Sequence, residues 1–73
     1  MSADKIIRMA NQIALFMESK PHDEGVTGLA AHINDFWEPR MRREFFALLD
    51  AGGDGMRPLV IEAAAQIRRP EPA

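Results

Sequence analysis

Phe36-Trp37-Glu38-Pro39-Arg40-Met41-Arg42-Arg43 ends one helical pattern and opens the next. Proline is favourable at the first helical position, where the N–H it lacks has no partner in any case. Pro39 therefore predicts a helix start with Arg40, Arg42 and Arg43 in its first turn. The helix dipole puts about half a positive charge at that end, so each exposed cation there costs on the order of 0.3–1 kcal/mol. Arg57 stands likewise before Pro58, a second helix-starting proline. Cations so placed point to an anion or an acidic surface outside the chain. The plain alternative is solvation, with Arg40 pairing to Glu44 one turn along for only about 0.2–0.5 kcal/mol.

N-terminal to this stretch, residues 22–36 predict a helix with Val26, Leu29, Ala30, Ile33, Phe36 and Trp37 on one face. Gly25 and Gly28 each weaken it by roughly 1 kcal/mol relative to alanine. Simple tolerance is the plainer reading of them, and close approach of another backbone is the other. Residues 3–19 predict the preceding helix, capped by Ser2, with Asp4 in the first turn and Lys20-Pro21 as its end. Its expected core stripe, about 120° wide, holds Ile6, Met9, Ala10, Ile13, Phe16 and Met17. Ile7, Ala14 and Leu15 form a second apolar strip that the bundle would leave wet.

C-terminal to the stretch, the helix opened by Pro39 runs to about Asp50, with Met41, Phe45, Leu48 and Leu49 facing the core. Gly52-Gly53 predicts a left-handed cap. Helical geometry sets Arg42 at the edge of the apolar arc and Arg40 and Arg43 on the polar side, so Arg42 is expected to be partly buried. A last helix is expected over residues 58–69, broken by Pro70-Glu71-Pro72. Leu59, Val60, Ala63 and Ile67 cover one side of it, and Ile61, Ala64 and Ala65 extend apolar surface most of the way round. Three other short helices cannot enclose such a helix, and a second chain is expected to cover part of it.

No strand or repeat is visible. The expected fold class is all-α: a small bundle of about four short helices, stabilised by packing on a larger subunit. Residues 1–73 would form one small helical domain, with 70–73 a short flexible tail. A chain near this length buries only about 60% of the surface its unfolded form exposes. There are no cysteines, which excludes disulfides and thiolate metal sites, so association is the remaining source of stability. The 9 basic and 11 acidic residues are mixed along the chain, unlike the basic face of a nucleic-acid binder. No apolar run approaches a membrane span, and Ser2-Ala3-Asp4-Lys5 lacks the basic and apolar regions of a secretory signal. A cytoplasmic location away from membranes is expected.

Catalytic chemistry finds little support. Gly52-Gly53-Asp54-Gly55 lacks the lysine, the hydroxyl residue and the preceding strand of a phosphate loop and fits a helix cap and turn. The carboxylates are scattered, and Ser2, Ser19 and Thr27 have no neighbouring base. His22 and His32 lie ten positions apart, which is not a helical ligand pair. His32 reads as a structural histidine, and Met9, Met17 and Met41 as gap fillers rather than copper ligands. Trp37 fits two readings, the end of a core stripe or a binding hot spot beside arginine. No catalytic, cofactor-binding or metal-binding residue is therefore expected.

Three segments together resemble the small delta subunit of the soluble, molybdenum-containing NAD-dependent formate dehydrogenases. They are Ile7-Arg8-Met9-Ala10-Asn11-Gln12-Ile13-Ala14, Phe36-Trp37-Glu38-Pro39-Arg40-Met41-Arg42, and Gly52-Gly53-Asp54-Gly55-Met56 followed by Pro58-Leu59-Val60. The first two are specific in combination, and the likeness covers most of the chain. It implies a non-catalytic accessory subunit that packs on the large catalytic subunit, beside diaphorase-type subunits. It also implies that the other chains hold a molybdenum bis-guanine-dinucleotide cofactor, iron–sulfur clusters, FMN and NAD, and that this chain holds none.

From helix polarity, Arg40, Arg42 and Arg43, with Trp37 beside them, are expected to dock on an acidic or carbonyl-rich surface. Leu15 and Ile61 would add apolar contact, and Asn11 and Gln12 would hydrogen-bond at the rim. Two other functions compete with this one. A helix-turn-helix DNA binder would need polar readers where the third helix carries Phe45, Phe46, Leu48 and Leu49. A self-associating homodimer would cover its fourth helices mutually.

Overall fold

The structure, a computed structural model, describes residues 2–71. Four helices follow one another: α1 (Ala3–Met17), α2 (His22–Phe36), α3 (Pro39–Asp50) and α4 (Pro58–Ala63), the last continued by a 3-10 turn, Ala64–Gln66. No strand occurs among the described residues, and the fold is all-α. Of the expected 70–73 tail, residues 72 and 73 lie outside the described residues, and Pro70 is half-buried in a groove with Phe46 and Arg69.

The helix boundaries follow local chemistry. Ser2 Oγ accepts the Lys5 N–H at 3.3 Å, and α3 and α4 each open on proline. At the end of α3, the Gly52 N–H donates to Leu49 O and the Gly53 N–H to Leu48 O, while both glycines take positive φ. This pair of bonds is the glycine-dependent cap that satisfies the last carbonyls of a helix. α1 stops two residues short of expectation because the Ser19 hydroxyl takes Phe16 O at 2.7 Å and the Lys20 N–H takes Met17 O in a tighter turn.

Ile6, Leu29, Ile33, Phe45 and Val60 form the centre of the core. Trp37 belongs to it as well, 5% exposed and edge-on to Phe45 with ring centroids 6.2 Å apart. Two expectations are corrected here. α1 turns Ile6, Ala10 and Ala14 inward, which rotates its core face by about 60° from the predicted stripe. Ala14 is buried, and Phe16 is 63% exposed with Lys20 over its ring. On α2, Phe36 is 72% exposed and stacks on His32, because the chain turns at the helix end and Trp37 takes the inward place.

The rotation reflects close contact between α1 and α2. A Cβ on Gly25 would stand 2.7 Å from the Met17 carbonyl oxygen, so Gly25 marks a backbone approach rather than tolerance. Gly28 differs: its nearest neighbour is the flexible Met17 side chain, with Sδ at 3.0 Å.

Two asparagines fix the ends of α4. Asn11 on α1 donates Nδ2–H to Gly55 O (2.8 Å) and accepts the Arg57 N–H on Oδ1 (2.9 Å). Asn34 on α2 donates to Gln66 O (3.0 Å) and accepts the Arg68 N–H (2.8 Å). Each amide spans one residue, Met56 in the first case and Ile67 in the second, and both are buried. The second clamp, together with Arg42 donating to Arg68 O, holds residues 67–69 outside the helix, with Ile67 extended, where a continued helix was expected.

Gly25→Ala should lower stability by about 1–3 kcal/mol through the backbone clash, whereas Gly28→Ala should be neutral or raise it by up to about 1 kcal/mol, both measured by thermal unfolding. In denaturant titrations, Asn11→Ala and Asn34→Ala should each cost about 1–2 kcal/mol. The two effects should add, since the clamps sit at opposite ends of α4.

Candidate partner interface

Leu15 and Ile61 are among the large apolar side chains that stay exposed, at 60% and 46%. They come from different helices, yet they line adjoining grooves that share Arg57. The Leu15 groove also takes in Ile7 and Gln12. The Ile61 groove, about 740 Å³, is floored by Pro58 and Leu59. Gly53 lies between Leu49 and Ile61, and Leu49 with Ala65 carries the apolar surface onward along α4. Ile7 and Leu15 of the strip predicted on α1 and Ile61 of the one on α4 thus line grooves that adjoin at Arg57, whereas Ala14 of the α1 strip is buried in the core.

An ion pair and a histidine–carboxylate contact brace this face. Arg57 donates Nε–H and Nη2–H to the two Glu18 carboxylate oxygens at 2.7 and 2.8 Å, joining α4 to the end of α1. His22 Nε2 lies 2.6 Å from Glu62 Oε2, joining α2 to α4. Asn34, Glu18, His22 and Glu62 were not anticipated as framing residues. Asn34, in the last turn of α2, had only a partial signal, since asparagine is a weak helix former whose side chain tends to bond backbone groups. Glu18 and Glu62 had none, because their partners lie far away in sequence.

The other expected contact residues divide between the interior and a second surface. Arg42 is half-buried and donates to Trp37 O (3.3 Å) and Arg68 O (2.8 Å), so its own chain supplies the carbonyls once expected of a partner. Trp37 is buried, and both polar ends of Asn11 are engaged in the α4 clamp. Arg40, Arg43 and Gln12 are exposed. Arg43 belongs to a different groove, beside Phe46 and the Arg69–Asp50 ion pair. Arg69 also lies over the Phe46 ring, 4.3 Å from its centroid.

Among the described residues, no group of three or more His, Asp or Glu gathers as metal ligands would. An iron–sulfur cluster is ordinarily held by thiolates, and this donor set does not fit one. No helix of the described residues is long and apolar enough to cross a membrane.

The Glu18 carboxyl is held below its ordinary value of 4.5, chiefly by the hydrogen bonds from Arg57, and Asp50 below 3.8 by those from Arg69. A carboxyl depressed by folding stabilises the chain above its unfolded value and loses that contribution as pH falls through the folded one. Stability should therefore drop on acidification below about pH 4.5. A Glu18→Gln/Asp50→Asn variant should show a flatter acid limb in pH-dependent melting, with lower stability than wild type at neutral pH.

A family model described as the NADH-dependent formate dehydrogenase delta subunit FdsD matches residues 5–64. No curated protein and no solved structure matches the chain.

Proposed function

Since the chain belongs to the FdsD family of NADH-dependent formate dehydrogenase delta subunits, we propose that it is a non-catalytic accessory subunit. It packs on the large molybdenum-containing catalytic subunit in the cytoplasm and stabilises the assembly or its cofactor-loaded form. The molybdenum bis-guanine-dinucleotide cofactor, the iron–sulfur clusters, FMN and NAD belong to that subunit and its diaphorase-type partners. Residues 2–71 act as one helical unit.

The observation that carries this reading is the face formed by Leu15 and Ile61, where two helices expose large apolar side chains on either side of a fixed Arg57. Fully burying a side chain of this kind contributes about 1.5–3 kcal/mol, so covering the exposed parts of Leu15 and Ile61 is a useful share of an interface. Gln12 stands at the rim with its amide free to pair across it. Arg40 and Arg43 project from the start of α3, where a partner's carboxylates or carbonyls would offset cations that the helix dipole disfavours. Trp37, Arg42 and Asn11 serve the same surface from inside by fixing the helices that present it.

Leu15→Glu/Ile61→Glu should abolish co-purification with the formate dehydrogenase while leaving the melting of the isolated chain close to wild type. Glu71→Ala should co-purify normally. Enzyme assembled without the chain should lose formate-dependent NAD reduction faster on storage. Recovery of the Leu15→Glu/Ile61→Glu variant at wild-type stoichiometry would overturn the reading.

A further inference from the structure

The connection between α3 and α4 holds the chain's one Asp-Gly pair, Asp54-Gly55. The pair is the centre of a tight turn, closed by the Met56 N–H donating to Gly53 O at 3.0 Å. That bond uses the outer residues of the turn and leaves the peptide between the two central ones to solvent. Among the described residues no acceptor takes the Gly55 N–H and no donor reaches the Asp54 carboxylate. Both residues are exposed, and Gly55, at φ 85°, has no Cβ to resist rotation of the peptide they share. The other aspartates are placed differently. Asp4, Asp23, Asp35 and Asp50 stand in helices, each followed by a residue with a side chain. Asp50 is also tied to Arg69, and the N–H that follows it donates to Ala47 O.

We propose that Asp54-Gly55 is a site of spontaneous isomerisation to isoaspartate, and that the product undoes the Asn11 clamp on α4. The Gly55 nitrogen attacks Asp54 Cγ. A C–N bond forms, the C–OH bond of the carboxyl breaks, and the hydroxyl leaves with the amide proton as water. The resulting succinimide then takes up water. Opening at Cγ restores aspartate, whereas opening at the backbone carbonyl carbon of Asp54 leaves the chain running through the side chain, as isoaspartate. Water lost in the first step is regained in the second, so no co-reactant is consumed.

Isoaspartate lengthens the main chain by one atom between Asp54 and Gly55. The turn has no slack to absorb it, because Met56 on its far side is buried in the core and Gly55 O is fixed 2.8 Å from Asn11 Nδ2. With Gly55 O displaced, Asn11 keeps only its bond from the Arg57 N–H. The change therefore falls where it loosens the start of α4, beside the arginine that the Leu15 and Ile61 grooves share.

The full chain is aged at neutral pH in heavy-oxygen water beside Asp54→Glu, which keeps the charge but closes the larger ring far more slowly. In fragment masses, wild type should gain heavy oxygen at Asp54 at least about tenfold faster than at Asp4, Asp23, Asp35 or Asp50, whose cyclisation first requires a helix turn to open. A methyltransferase specific for isoaspartate should label aged wild type and leave aged Asp54→Glu unlabelled. The isoaspartyl form, separated by chromatography, should melt below the unaged chain. In Asn11→Ala, where the clamp is already gone, the same modification should lower the melting temperature by less. Heavy oxygen absent from Asp54 or spread evenly over the aspartates, or equal methylation of Asp54→Glu, overturns the site. An isoaspartyl form that melts with unaged wild type, or an equal loss in Asn11→Ala, overturns its coupling to the clamp.

Discussion

α4 is too short to sustain itself, and the bundle depends on how its ends are held. Isolated helices below about 12–15 residues are marginal in water, and α4 has six residues before it tightens into a 3-10 turn. Asn11 and Asn34 supply what local propensity lacks. Each takes a carbonyl and the N–H two residues on, which fixes the backbone on both sides of a buried side chain. Met56 and Ile67 are thereby seated in the core at either end of the segment. The clamps sit on α1 and α2, so one geometry sets the position of all three helices.

That geometry also accounts for the placement of the outer face. The Gly25 contact brings α1 close to α2, and the small side chains of Ala10 and Ala14 lie on the buried side of α1. Turning α1 this way exposes Phe16 and aims Asn11 at the chain around Arg57, with Leu15 on the outer side. Leu15 and Ile61 line adjoining grooves on either side of Arg57 as a consequence of the packing that fills the core.

Arginine has two roles in this chain. Arg42 and Arg57, both unfavourable by helix polarity alone, find acceptors elsewhere in the fold: carbonyls from the α2 end and the C-terminal segment, and the Glu18 carboxylate. Their cost at the helix starts is offset by tertiary bonds that local reasoning cannot see. Arg40 and Arg43 remain at the surface.

The sequence by itself determined the helices. Pro39, Pro58, Ser2 and Gly52-Gly53 act within a turn of their own positions, and α2 and α3 occupy the spans their periodicity predicts. It also determined the family, through segments whose residues lie close together in the chain. The tertiary structure alone decided which side of α1 faces inward, that Gly25 meets a backbone, and that residues 67–69 leave the helix. It decided, too, that Leu15 and Ile61 share a face and that Arg57 is tied to Glu18. Each of these rests on groups far apart in sequence, and helical periodicity carries no information about which turn of one helix stands opposite which turn of another.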